Sequence, residues 1–324
     1  MSNIKHNIFI FIKDILKKIL PTFVYEKIKK EIDYIKQDKN AKNWDRLIEL
    51  YYNNQLEKVQ INKKKELNTE KIIWQFWGQG WKYDKLPEIV KLSYKSIDRF
   101  KGDYIVIRLD EKSIEDYIEL PDFLWEQLKN KAIGYAHFSD VLRLALLDKY
   151  GGIWLDADIL LTNYIPKFIE ESDYFLFQRS DEVKNKKKWI DFDSQFFSWE
   201  KKQKVKVVNS MIFSKKENIV IHTWLDLVLI FFKNIKKSNQ KFYYYNVQIL
   251  YNELIEGRLK NYNCNVVDDT LPHELMRILY NNFSQNEYLE IIKKVDLHNL
   301  TEKRNKTTNV ENSFYEYLKK EFKI

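Results

Sequence analysis

Nine consecutive residues constrain this chain more than any others: Tyr150-Gly151-Gly152-Ile153-Trp154-Leu155-Asp156-Ala157-Asp158. A short apolar run behind a diglycine predicts a buried strand, and this one runs directly into two carboxylates. Residues 135–149 before it predict a helix that Gly151-Gly152 stops. Further upstream, Ile72-Ile73-Trp74-Gln75-Phe76-Trp77 predicts another buried strand, ended by Gly78 and Gly80. Pro87 opens a helix through about Arg99, Tyr104-Ile105-Val106-Ile107 is the next strand, and a helical region through Trp125 and Leu128 follows. Strand, helix, strand, helix, strand is the order of an α/β sheet with parallel components. Such sheets bind ligands at the carboxyl ends of their strands, and Asp156 and Asp158 stand at one of those ends.

Both flanks are helical or mixed. Residues 4–20 place Ile4, Ile8, Phe11, Ile12, Ile15, Leu16 and Ile19 at helical spacing, with lysines between them, until Pro21. Two further helical stretches are expected over 22–37 and 41–58, and Asn62-Lys63-Lys64-Lys65-Glu66 reads as a boundary. The chain thus divides into an N-terminal helical extension, 1–65, and an α/β domain, 66–324. After the acid pair, strands are expected at 173–177 and 207–213. A helix is expected over 218–236, and a helix or strand over 243–254.

Composition narrows the compartment. With 324 residues, 44% of them apolar, the chain buries enough surface to fold without staples. Its single cysteine, Cys264, excludes an internal disulfide framework and a cysteine metal cluster, and fits a reducing compartment. The longest uncharged apolar run near the start, Ile8 to Ile12, is cut by Lys13 and is far short of the roughly 18–20 residues of a membrane span. No secretory signal is legible, so a cytoplasmic protein is expected. The net charge of +8 is spread along the chain rather than clustered, which reads as a lysine-rich soluble surface and not as a nucleic-acid partner. The basic amphipathic stretch 4–20 could lie on an anionic membrane surface or pack on the fold.

Two carboxylates two apart in an extended segment leave on one face, a hard-oxygen site suited to Mg2+ or Mn2+. On spacing alone a solvated turn explains them equally well. Asp140 and Arg143, three apart on the preceding helix, share a face. A surface salt bridge would explain the pair, but Phe138, Val141, Leu142, Leu144 and Leu147 leave little room for an exposed face. A partly buried acid and guanidinium would suit directional bonds to sugar hydroxyls. His222 and His273 read as packing or capping residues, and Asp268-Asp269 as a solvated loop.

The combined run Ala136-His137-Phe138-Ser139-Asp140-Val141-Leu142-Arg143, then Tyr150-Gly151-Gly152 and Asp156-Ala157-Asp158, resembles the capsular polysaccharide synthesis glycosyltransferases. These are related to the Och1-like mannosyltransferases and the glucosylating clostridial toxins. The resemblance extends from Lys71 to about Lys303, with His298-Asn299-Leu300-Thr301 similar to the family's His-Lys-Leu-Thr ending. It implies a GT-A fold, the Rossmann-like sandwich that binds nucleotide sugars, over residues 66–324. It also implies retaining transfer of a hexose or N-acetylhexosamine from a nucleotide-sugar donor, by expectation a uridine one, to a growing cell-surface glycan or lipid-linked glycan.

Carried over by position, Asp158 would ligate Mn2+ or Mg2+, and Asp156 would meet the ribose, the sugar or a metal-bound water. Asp140 and Arg143 would hold donor-sugar hydroxyls, Trp77 would stack on the base, and Trp74 would stand on the donor side. Asn209 would be a polar contact in the binding site, and His298 would approach the metal or diphosphate. Trp74 stands where relatives often carry His, Asn299 replaces Lys, and 243–248 lacks the Asp and His of many relatives. Two other readings compete. One is a haloacid-dehalogenase-type Mg2+ phosphatase, although Leu160 replaces its Thr or Val and no later Gly-Asp-Gly motif follows. The other is a non-catalytic protein of glycan assembly at the membrane surface.

Overall fold

The computed structural model describes residues 19–235, 242–301 and 311–324. In chain order its strands are β1 (Asn62–Lys63), β2 (Ile72–Phe76), β3 (Ile105–Leu109), β4 (Ile118–Glu119), β5 (Gly152–Leu155), β6 (Ile159–Leu161), β7 (Tyr174–Gln178), β8 (Val207–Ser214) and β9 (Leu297–Asn299). The helices that matter here are α1 (Thr22–Tyr52), α2 (Glu88–Phe100), α3 (Asp122–Lys129), α4 (Tyr135–Tyr150), α5 (Ile219–Lys233), α6 (Asn246–Glu256) and α7 (Phe314–Phe322). The centre is a five-stranded sheet in the order β3-β2-β5-β8-β7. Its first three strands are parallel, with Ile72 beside Ile105 and Ile73 beside Ile153. β8 then runs antiparallel to β5, placing Leu155 beside Met211, and antiparallel to β7. The molecule is therefore a mixed α/β sandwich. Every residue of β2, β5 and β7 is buried, which is why these strands read as unbroken apolar runs rather than alternating ones.

The diglycine does two jobs at the sheet's centre. Gly151 (φ 70°) and Gly152 (φ 97°) adopt backbone that a side chain resists, which ends α4. They also admit close neighbours: a Cβ on Gly152 would lie 2.5 Å from the Ile72 carbonyl oxygen, and one on Gly151 would lie 2.9 Å from the Lys216 nitrogen. The Trp74 indole N–H donates to the Gly151 carbonyl at 3.0 Å, tying β2 to this turn.

The N-terminal region differs from expectation in one respect. Residues 22–37 and 41–58 do not form two helices; α1 is continuous to Tyr52, because Asp38-Lys39-Asn40 contains no proline or glycine to break it. Helix α1 is not detached from the body. Trp44 is 1% exposed within the main core, and its indole donates to the Asn246 carbonyl at 2.9 Å. Tyr51 donates to Asp226 of α5 at 2.7 Å. The basic stretch 4–20 lies outside the described residues except for its last two positions.

A small second sheet pairs β6 with β9, antiparallel, with Ile159 beside Asn299 and Leu160 beside His298. Below it Leu92, Leu160, Leu300, Phe314 and Leu318 form a second core that anchors α2 and α7. The chain's last portion is thereby brought alongside the residues that follow β5.

Candidate functional site

The acids leave β5 in a turn. The Ile159 N–H donates to the Asp156 carbonyl at 3.0 Å, so 156–159 is a tight reversal and not the extended segment expected. Two further bonds pin it: the Asp156 N–H donates to the Ser210 carbonyl at 2.8 Å, and the Leu300 N–H donates to the Asp158 carbonyl at 3.1 Å. Both carboxylates still line one pocket, of about 370 Å3. The start of β8 (Val207 to Ser210) forms one wall, Tyr244, Tyr245 and Gln248 another, and Asn299 and Thr301 a third. Because β8 is antiparallel, its amino end meets the carboxyl end of β5, and Asn209 and Ser210 arrive beside the acids.

Behind the floor, α4 supplies a charged network. Arg143 (4% exposed) lies 3.3 Å from Asp156 and 3.5 Å from Asp140. It also donates to the carbonyls of Ser139 at 3.1 Å and Asn209 at 2.5 Å. Asn209 donates to Asp140 at 2.9 Å and accepts from Gln248 at 3.0 Å. The Trp154 indole donates to Asp156 at 2.6 Å, and the Arg143 guanidinium lies over the Trp154 ring. Asp156 is held from two sides before any ligand arrives. Burial lifts its carboxyl above the usual range, Arg143 and the Trp154 indole oppose the rise, and the Asp140 charge adds to it.

Asp156, Asp158 and Asn209 thus line one pocket. Asp140 and Arg143 are not on its wall; they position Asp156 and Asn209 from behind. Trp77 follows β2 at the sheet's carboxyl end, partly exposed, and is not among the pocket's lining residues. Two expected site residues face elsewhere. Trp74 is fully buried and spends its indole N–H on Gly151, so it cannot contact a donor. His298 is fully buried too, with Nε2 3.0 Å from the Thr162 hydroxyl. Successive strand residues point to opposite faces, and it is Asn299 and Thr301 that line the pocket. Burial pushes the His298 imidazole down to about 3, so it is neutral.

The sequence reading missed Ser210, Tyr244, Tyr245, Gln248, Asn299 and Thr301. One signal was present, the triplet Tyr243-Tyr244-Tyr245 followed one turn later by Gln248. Two acceptors here are buried and unbonded among the described residues: Gln248 Oε1 and Asn299 Oδ1. Asn299 Nδ2 donates to Ser210 at 3.3 Å, which leaves its oxygen for something else. Orphaned buried acceptors of this kind call for a ligand donor or a cation. No three His, Cys, Asp or Glu side chains converge on a metal position among the described residues. Asp158, Asn299 and Thr301 instead offer oxygen only, which suits a hard cation that takes most of its shell from water and phosphate.

Elsewhere, Asp269 is not a solvated loop residue: it is fully buried in an ion pair with Arg179 at 2.8 Å. His273 packs as expected, its Nδ1 2.7 Å from the Asp269 carbonyl, and it also borders the pocket.

Residues 24–318 match the family described as Capsular polysaccharide synthesis protein. A stretch of 111 residues, 31% of this chain, is 29% identical to the O-glycosyltransferase PaGT of Phomopsis amygdali and spans 27% of that relative's length. Among solved structures, the PaToxG Glycosyltransferase is similar with a TM-score of 0.36 and 14% identity, over 81% of this chain and 95% of that one.

Proposed function

This chain belongs to the capsular polysaccharide synthesis protein family, a family of sugar transfer, and on that premise we propose that it is a retaining, metal-dependent glycosyltransferase. The donor is a nucleotide sugar, in first place a uridine diphosphate hexose or N-acetylhexosamine, and the acceptor is a growing cell-surface glycan. Family membership leaves the phosphatase reading without support. One observation carries the proposal: a strand-end turn sets Asp156 and Asp158 in a pocket whose far walls hold two unbonded buried amide oxygens.

Asp158, with Asn299 and Thr301, would hold Mg2+ or Mn2+, and the bound ion would offset charge on the departing diphosphate. The chain's own groups do the positioning. Asp156, fixed by Arg143 and Trp154, accepts hydrogen bonds from a ribose or sugar hydroxyl without reorganising. Gln248 accepts a further hydrogen bond from a hydroxyl through its unbonded Oε1. Beyond the two acids and His273, the lining contains amides, hydroxyls and apolar groups. That favours a front-face path. The bond from the anomeric carbon to the phosphate oxygen breaks, the acceptor oxygen bonds on the same face, and the phosphate oxygen takes the acceptor proton.

Titration calorimetry tests the site: uridine diphosphate binds in the presence of Mn2+ and not in its absence. Asp158→Asn abolishes both that binding and donor hydrolysis while the melting temperature holds. Near-native turnover by this variant removes the assignment, and an inverted product by proton NMR removes the stereochemistry.

A further inference from the structure

The wall that carries Tyr244 and Tyr245 has a second side. These two residues also border a larger groove, of about 1060 Å3, so the two spaces meet across them. That volume is at the top of the ~300–1,000 Å3 range of small-molecule sites. Its opposite wall is α1, where Asp33, Lys36, Asn40, Asn43 and Leu47 border the groove. Those positions recur at intervals of three and four, which makes them one stripe along the helix. It flanks the buried face of Tyr34, Gln37, Ala41, Trp44 and Ile48 and, apart from Asp33, stays partly or fully exposed, offering lysine and amides to the groove. Facing it are rings, from Phe231 on α5 and from Phe242 and Tyr243.

The fold uses these polar groups only in part: Asn40 donates to the Lys36 carbonyl at 2.7 Å. Asp33 is bonded to Gln37 and Tyr243, each at 2.8 Å, but Lys36 and Lys39 form no ion pair among the described residues. The Asn43 side chain is exposed within the groove. Tyr244 is 57% exposed where the groove meets the pocket.

From this we propose that the groove is the acceptor site, holding the sugar chain of the acceptor with its growing end delivered over Tyr244 to the acids. The proposal rests on the transferase reading above. Asparagine amides donate and accept at once, which matches neighbouring sugar hydroxyls, and aromatic faces pack against the apolar faces of sugar rings. Lys36 and Lys39 suit acidic substituents on that chain. The stripe from 33 to 47 spans about 21 Å at 1.5 Å per residue, long enough for several sugar units. Helix α1 is then the element that selects the acceptor, whereas β5, β8 and β9 hold the donor end.

The test uses the full chain and a probe that contains the unextended acceptor: surface glycan extracted from cells deleted for this chain. Asn43→Trp fills the groove from an exposed helix position. We expect it to weaken binding of the extract by about tenfold or more, while uridine diphosphate binding and donor hydrolysis stay at native levels. Lys42→Trp, one position away and outside the stripe, leaves both unchanged. Native affinity of Asn43→Trp for the extract overturns the groove assignment, as does a native chain that binds nucleotide but not extract. If Asn43→Trp loses nucleotide and glycan together it has misfolded, and Lys39→Glu then decides: unchanged extract binding overturns the proposal. A native chain that binds extract but never nucleotide removes the transferase reading and leaves the groove standing.

Discussion

His298 and Asn299 are adjacent in sequence and face opposite ways, and the difference decides what each can do. Asn299 turns to the pocket with a free amide oxygen; His298 turns inward to Thr162. An imidazole kept neutral by burial has a cost in acid. Its ordinary value is near 6.5 and burial takes it to about 3, so between those pH values the unfolded chain binds a proton that the folded chain refuses. Stability from this group is therefore complete above about pH 6.5 and is lost progressively as pH falls. At pH 5 the loss is about 2 kcal/mol. Thermal melts at pH 7 and pH 5 check this: the native chain loses more stability on acidification than His298→Gln does, and equal losses place the effect in another group.

At the scale of elements, the diglycine is the most sensitive point. Gly152→Ala forces a Cβ to within 2.5 Å of a backbone oxygen on β2, at a positive φ, so neither the backbone nor a flexible neighbour can yield. The expected destabilisation is about 3 kcal/mol or more, read as a lower urea midpoint with an unchanged slope. A shift under about 0.5 kcal/mol shows that β5 can move away from β2. This element was fully legible in the sequence, as were β2, β3, β7, β8 and the helices α2 to α4 that precede β5, because buried strands and capped helices announce themselves locally. The acid pair was legible for the same reason. What was not legible depends on distant partners. The turn geometry of Asp156 and Asp158 is set by Ser210 and Leu300, and whether Trp74 is a ligand contact or a strut depends on Gly151. Helix α1 misled because its inward face mixes Asp33, Tyr34 and Gln37 with Trp44 and Ile48, so that apolar periodicity fails.

For the whole molecule, α1 and the stretch before it bear on where the chain sits. No helix among the described residues is long and apolar enough to cross a membrane. Helix α1 nevertheless leaves Phe23 76% and Ile35 68% exposed, with Lys27 and Lys29 nearby in the sequence. With the basic stretch 4–20, these exposed groups motivate the proposal of a peripheral position on an anionic membrane, where a lipid-linked acceptor would be met. Sedimentation with anionic liposomes at low salt should carry down the full chain and not a chain lacking residues 1–20. A full chain that stays in the supernatant rules the position out.

The pairing of β6 with β9 has a consequence in time. The five-stranded sheet is complete once residue 214 has been made, but the turn that carries Asp158 gains its partner strand only with residues 297–299. Synthesis proceeds from the amino end, so a ribosome-bound chain can assemble its sheet and groove helix well before it has a finished pocket. Asn299 and Thr301 come last of all the pocket's residues. A chain still being translated is thus a scaffold whose pocket closes only after residues 297–301 have been made.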